Sequence, residues 1–314
     1  MTARITIFSG PKPFTLPHIA TIQRNAIRSW LALGAEVDVL LLGDEEGLPE
    51  EANELGVRLI REVPRNRQGT PLVSALFELA RQNSDSPLLA YVNADILLLP
   101  DFVSGALALQ AGGRPFLGVG QRWDLEVTES LEFGGDWPVD LQRQVKEHGS
   151  LHPPAGSDYF IYPRECFKSM PAFAIGRAGW DNWMIYWARR EGWQVVDCTA
   201  DINIVHQNHD YSHLPGGQPH YKLPETDVNV RLAGGRMMTR FMLPDCNRQL
   251  IDGRLTDVPF SWRRFWRETE IFPLVGLRSP FLGRIGYAVF HPVRAYGEAR
   301  AWVSRRLRNT RPGR

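Results

Sequence analysis

Cysteine is scarce. Cys166, Cys198 and Cys246 stand far apart among 314 residues, in no CxxC or Cys/His zinc spacing, so a reduced compartment is expected. No apolar run approaches the ~20 residues that cross a bilayer, and Met1 to Gly10 lacks the charged start and long apolar core of a secretory signal. The expected location is cytoplasmic. Net charge is only +1, so nothing global points to nucleic acid. Lysine is missing altogether from Pro259 onward, where 12 Arg meet 3 Glu: this end carries +9 and leaves −8 on residues 1–258. No internal repeat is found.

What is present is ample apolar material, 43% of the chain, enough for one large α/β domain or two modest ones. Ile5 to Phe8 reads as a strand broken by Ser9-Gly10-Pro11-Lys12-Pro13, a turn or open loop. Ile19, Ile22, Ala26, Trp30 and Leu33 recur at helical spacing, and Val37 to Leu42 is a second apolar strand. Glu45 to Leu55 reads as a helix and Val57 to Ile60 as a third strand. Pro71 to Arg81 reads as a helix with Thr70 as its cap and Pro71 in its first turn. Leu88 to Val92 is a fourth strand. Four strands alternating with three helices in about 95 residues predict a parallel sheet wound with crossover helices.

The organising stretch is the end of that fourth strand, Asn93-Ala94-Asp95. If the backbone stays extended, Asn93 and Asp95 project from one face at the carboxyl end, where wound sheets hold ligands. An ordinary strand-to-loop turn is the competing reading. Downstream, Phe102 to Gln110, Pro138 to His148 and Trp180 to Glu191 read as helices. Phe116 to Val119, Ser157 to Tyr162, Val195-Val196 and Ile202 to Val205 read as strands.

Three constellations can carry chemistry. Asp181, between Trp180 and Trp183, is either a helix cap or a general base made more basic by partial desolvation. His206, His209 and His213 open a polar loop, as cation ligands or as plain surface. Asp158 either binds a sugar hydroxyl or caps its strand, and Trp123, Trp137, Trp180 and Trp183 either stack on sugar faces or fill the core.

Taken in order, the wound N-terminal sheet, Asn93-Ala94-Asp95, Trp180-Asp181-Asn182 and His206 in its His-rich loop resemble the GT-A glycosyltransferases, close to family 2-like bacterial enzymes, over about residues 4 to 240. The resemblance implies an α/β, Rossmann-like GT-A wound mixed sheet with flanking helices. Its halves would be a nucleotide-sugar half, 1–110, and an acceptor half, 111–245, followed by a basic, aromatic-rich helical extension, 246–314.

By the same resemblance Asn93 and Asp95 match the DxD position that holds Mn²⁺ or Mg²⁺ against a nucleotide-sugar diphosphate, with Asn93 in place of the first acid. Asp181 matches the base of inverting relatives and His206 a later metal ligand. Ser9, Lys12, Arg65 and Gly69 fall in regions that hold the nucleotide, and Asp158, Trp123, Trp180 and Asn182 in the sugar or acceptor region. The implied partners are a nucleotide-diphospho-sugar donor and a carbohydrate or lipid-linked acceptor. A retaining transferase, a sugar-phosphate nucleotidyltransferase and a non-catalytic carbohydrate-binding or scaffold protein are the alternatives. The Arg-rich tail, with Val293, Tyr296, Val303 and Leu307 along one helical stripe, is either a lid or a peripheral contact with the inner membrane face.

Overall fold

A computed structural model describes residues 3–209, 223–297 and 300. The chain divides into two compact units, Met1–Arg189 with Trp193–Val258, and Arg190–Gly192 with Pro259–Arg314.

In the larger unit, β1 (Ile5–Ser9), α1 (Pro17–Leu31), β2 (Val37–Leu42), α2 (Leu48–Glu54), β3 (Arg58–Ile60), α3 (Val73–Gln82) and β4 (Leu88–Val92) follow the expected alternation. β5 (Ile96–Leu98), α4 (Asp101–Ala111), β6 (Phe116–Val119), β7 (Trp123–Leu125), α5 (Trp137–His148), β8 (Ser150–Leu151) and β9 (Tyr159–Pro163) come next. Then come α6 (Trp180–Arg190), β10 (Gln194–Asp197), β11 (Ile204–Gln207), α7 (Pro224–Leu232), β12 (Arg248–Ile251) and β13 (Arg254–Asp257).

The main sheet runs β13-β12-β10-β6-β9-β4-β1-β2-β3. β3, β2, β1 and β4 are parallel, as are β6, β10 and β12, while β9 lies antiparallel between β4 and β6. The expected class, α/β with a wound mixed sheet and flanking helices plus a helical C-terminal extension, is the one the chain adopts. Residues 248–257, grouped by sequence with the extension, instead form a hairpin that β12 joins to β10.

The central strands are buried on both faces, which is why they read as continuous apolar runs: every residue of β1 and β4 is buried. α1 begins at Pro17, whose missing N–H costs nothing there, buries Ile19 and Ile22, and packs Ala26, Ile27 and Trp30 into the core cluster of the sheet. Trp30 donates its indole N–H to the carbonyl of Ile96, 2.9 Å away, so the helix also anchors the chain just past β4.

A second, small sheet, β5-β11-β7-β8, forms the floor of the candidate site. Three sequence expectations are corrected here. The segment after β4 is not extended: Ile96 N–H bonds the carbonyl of Asn93 at 3.1 Å, closing a turn with Ala94 and Asp95 at its centre. Asn93 and Asp95 therefore do not share a strand face. His206 lies within β11, where pairing with β5 and β7 extends the strand past the expected end at Val205. Thr70 caps nothing: α3 starts two residues later, behind Leu72, because Pro71 is bridged to Arg65 and Leu72 to Ala174.

The smaller unit contains α8 (Trp262–Val275) and α9 (Pro280–Phe290). Each is capped by a serine hydroxyl, Ser261 accepting from Arg264 N–H and Ser279 from Leu282 N–H. Gly283 lets the helices meet, since a Cβ there would lie 2.3 Å from Leu274 Cδ2. No helix among the described residues is long and apolar enough to cross a membrane.

Candidate functional site

The site begins with the turn at 93–96. Asp95 is 6% exposed, and its backbone is fixed from β11: Gln207 donates both its backbone N–H and its Nε2 to the Asp95 carbonyl, each at 3.2 Å. Gln207 is itself held by Asn25 of α1, whose Nδ2 reaches its Oε1 at 3.1 Å. Helix, turn and strand thus lock one another around Asp95.

Asp95 Oδ2 accepts from Lys12 Nζ at 2.8 Å and lies 3.1 Å from His209 Nε2. Lys12 Nζ and His209 Nε2 are in turn 3.0 Å apart. One ligand atom each from Asp95, His206 and His209 falls within 4.8 Å of the others, a spacing and donor set that suit a small divalent cation. Asp95 Oδ1 is buried with no hydrogen-bond partner among the described residues, an acceptor left for a ligand. By type and spacing the residues fit Mn²⁺ or Mg²⁺, and the Lys12 ammonium lies against two of them, Asp95 and His209.

Burial by itself would raise the pKa of Asp95. The Lys12 charge, the His209 hydrogen bond and the two nearby imidazoles reverse that and hold the carboxyl well below the usual range. Burial pushes the His206 pKa down, which favours the neutral imidazole a metal would need.

His206 has a partner that sequence reasoning missed. Across the β7–β11 ladder it is the register neighbour of Asp124, and its Nδ1 lies 3.2 Å from Asp124 Oδ1. Asp124 also takes a 2.6 Å contact from His152 Nδ1 and a 2.9 Å bond from Arg122 Nε. The approach of His206 to Asp124 is a proximity of charges and not a hydrogen bond, since His206 Nδ1 is buried with no hydrogen-bond partner among the described residues.

Asn93 faces the other way. Its Oδ1 accepts from Tyr91 O–H and its Nδ2 donates to Asp158 Oδ1, both at 2.9 Å. Asp158 is buried and takes Arg122 Nη1 on both oxygens, at 3.0 and 2.8 Å. The carboxylate expected to bind a sugar hydroxyl therefore braces Asn93 and Arg122.

Asp181 is the second residue of α6 and accepts from Gly179 N–H at 3.2 Å. Burial raises its pKa, backbone amides oppose the rise, and the charge of Asp158 adds to it. The capping and basic readings are thus compatible. The charge of Asp158 also acts on His206, raising its pKa against the effect of burial.

The remaining expected residues scatter. Ser9 is fully buried at the end of β1, its Oγ without a hydrogen-bond partner among the described residues. Arg65 is tied to Glu45 and to the carbonyl of Gly69, so this loop holds itself, and Glu225 of α7 fastens it through Asn66 and Thr70. Trp180 is only 6% exposed and packs edge-on against Tyr91 at 5.1 Å, inside the core rather than on a sugar-binding surface. Asn182 donates to the carbonyl of Phe241 at 2.7 Å. Trp123 is half-buried against a small core beneath α5. His213 lies outside the described residues.

Beside the cluster is an open cleft of about 620 Å³, with Leu16, Pro17, His18, Glu126, Asn208 and His209 among its lining. His18 Nε2 is 3.1 Å from the carbonyl of Asn208, at the rim.

No family model matches the chain, and no curated protein matches it. Among solved structures it is similar to a mannosyltransferase from Pyrobaculum calidifontis in complex with GDP-Man and Mn²⁺, at 12% identity and a TM-score of 0.43, over 68% of this chain. The match covers 59% of that protein's length. It is also similar to glucosyl-3-phosphoglycerate synthase from Mycobacterium tuberculosis in complex with Mn²⁺, UDP and phosphoglyceric acid, at 17% identity and a TM-score of 0.41, over 66% of this chain and 72% of that one. Likenesses of this extent say nothing about which residues act.

Proposed function

We propose that this chain is a glycosyltransferase that moves a sugar from a nucleoside-diphosphate donor to an acceptor hydroxyl by direct displacement, with inversion at the anomeric carbon. The observation that carries the reading is the meeting of Lys12, Asp95, His206 and His209 past the carboxyl ends of β1 and β4, the end at which wound sheets take ligands. A leaving diphosphate needs positive charge, and Lys12 offers it. Asp95, His206 and His209 would hold Mn²⁺ or Mg²⁺, which when bound adds the same neutralisation.

The acceptor hydroxyl is a weak acid and needs a base. Asp181 is a carboxylate with raised pKa that feels the same Asp158 charge as His206. Asn93, Arg122 and Asp158 act as the brace that fixes the wall between the two ends. The use of the Asn93 amide by Tyr91 and Asp158 favours one second reading, a carbohydrate-binding protein without turnover.

The test is incubation with uridine, guanosine and thymidine diphospho-sugars, with Mn²⁺ and with EDTA. Release of nucleoside diphosphate from one donor is expected. Absence of both release and nucleotide binding by calorimetry overturns the transferase reading, and binding without release selects the second one. We assign the smaller unit a peripheral contact with an anionic cytoplasmic membrane face, where a lipid-linked acceptor would reside.

A further inference from the structure

The Lys12 ammonium is built into the cation position. Its Nζ is 2.8 Å from Asp95 Oδ2 and 3.0 Å from His209 Nε2, and those two atoms are 3.1 Å apart. The lysine backbone is clamped from both sides by Gln23 of α1, whose Oε1 accepts from Lys12 N–H at 2.6 Å and whose Nε2 donates to the Lys12 carbonyl at 3.0 Å. Gln23 is 1% exposed, so the stem of Lys12 starts from a fixed point.

An ammonium has three donors and no lone pair, so it binds the same electron pairs a metal ion would take. The ligand set also carries little negative charge. Asn93 contributes none and its amide is engaged by Tyr91 and Asp158, which leaves Asp95 as the only carboxylate in the group among the described residues. A doubly charged ion entering while the ammonium stays in place would be repelled by it. Access points the same way: the Lys12 side chain is 28% exposed, while those of Asp95 and His209 are 8% and 9% exposed. Of the three side chains, Lys12 is the most exposed.

We infer that Lys12 competes with a divalent cation for the Asp95–His206–His209 position, and that in this chain the ammonium itself supplies the positive charge that meets an anionic ligand. The first half stands on the geometry alone. The second rests on the transferase reading, with a diphosphate as the ligand.

The two halves separate experimentally. Mn²⁺ binding to the full chain, without nucleotide, is followed by the electron paramagnetic resonance of the free ion in wild type, Lys12→Met and Lys12→Gln. Binding at least tenfold tighter in both variants is expected, and adding Asp95→Asn to Lys12→Met should return it to the wild-type level. Equal or weaker Mn²⁺ binding in variants that keep the wild-type circular dichroism overturns the competition. UDP and GDP are then titrated calorimetrically in EDTA. Wild type should bind one of them, and Lys12→Met should bind it at least tenfold more weakly until Mn²⁺ is added. Unchanged nucleotide affinity in Lys12→Met overturns the charge role. Failure of wild type to bind either nucleotide overturns the diphosphate half, and the Mn²⁺ titration still decides the competition.

Discussion

Asn93 turns its amide to Asp158, with Nδ2 and Oδ1 2.9 Å apart, and not toward Asp95 two residues on. The turn at 93–96 makes this possible, and Tyr91 O–H fills the other side of the amide. Asn93→Asp, which would restore two acids at this spacing, should therefore not act as a metal-site repair. It removes the donor to Asp158 and sets two carboxylates against each other in a buried wall, at a cost of about 1–3 kcal/mol. A lowered urea midpoint with unchanged Mn²⁺ affinity is expected. An unchanged midpoint with tighter Mn²⁺ binding would show that the amide is dispensable there.

Replacing Asp181 by Asn separates catalysis from structure. Asn keeps an oxygen for Gly179 N–H and removes a carboxylate that burial disfavours, so thermal stability should hold or rise. As a base, Asp181 must be ionised, and its raised pKa places the acid limb of kcat/KM above the ordinary Asp value of about 3.9. Turnover in Asp181→Asn should fall roughly 10²- to 10⁴-fold with donor affinity unchanged. Retained turnover would remove Asp181 from the chemistry.

What was legible in the sequence follows from burial. β1, β2, β4 and β6 are mostly apolar and mostly buried, and such runs read directly as strands. The small sheet was hidden because β5, β7 and β11 have three or four residues each, too few to show a period, and are held by pairing partners distant in the chain. Arg122 and Asp124 were invisible as site residues for the same reason, since only the β7–β11 register puts Asp124 beside His206. His209 was visible as part of a His-rich run, but its pairing with Lys12 depends on the clamp from Gln23. Trp180 shows the limit of residue-type reasoning: an indole suits both a sugar face and a core, and here the core has it.

Glu225 gives a stability prediction away from the chemistry. Its carboxylate joins Asn66 and Thr70 to Arg177, at 2.6, 2.7 and 2.8 Å, and so fixes the 64–70 loop to α7. Burial would raise its pKa, but these three bonds lower it below the ordinary value. A lowered carboxylate pKa stabilises the fold fully above the unfolded value of about 4.3, and that contribution is lost as pH falls from there through the folded value. Glu225→Gln should cost roughly 2 kcal/mol at pH 7 and flatten the acid side of a urea-midpoint profile below pH 5. An unaltered slope there would show that Glu225 is not coupled to folding.

The smaller unit makes the last prediction. Several of its aromatic residues are not sheltered: Phe260, Trp262 and Phe281 are each about 70% exposed, beside Val289 and Tyr296 at the same level, while Tyr287 is buried. Val303 and Leu307, expected on the same stripe, lie outside the described residues. Interleaved with them are arginines rather than lysines, and the segment from Pro259 onward carries +9. Aromatic rings suit the interfacial layer of a bilayer, and each arginine near an anionic surface contributes about 1 kcal/mol. Both terms are needed, because exposed rings alone would also favour self-association. The full chain should float with vesicles of mixed phosphatidylglycerol and phosphatidylcholine, much less with phosphatidylcholine alone, and release above about 0.5 M salt as the Debye length contracts. Trp262→Ala with Trp266→Ala should weaken flotation several-fold while leaving the oligomeric state in sizing chromatography unchanged. Equal partitioning onto neutral and anionic vesicles would remove the electrostatic basis of the contact, and no flotation at all would leave these helices as a surface for another protein.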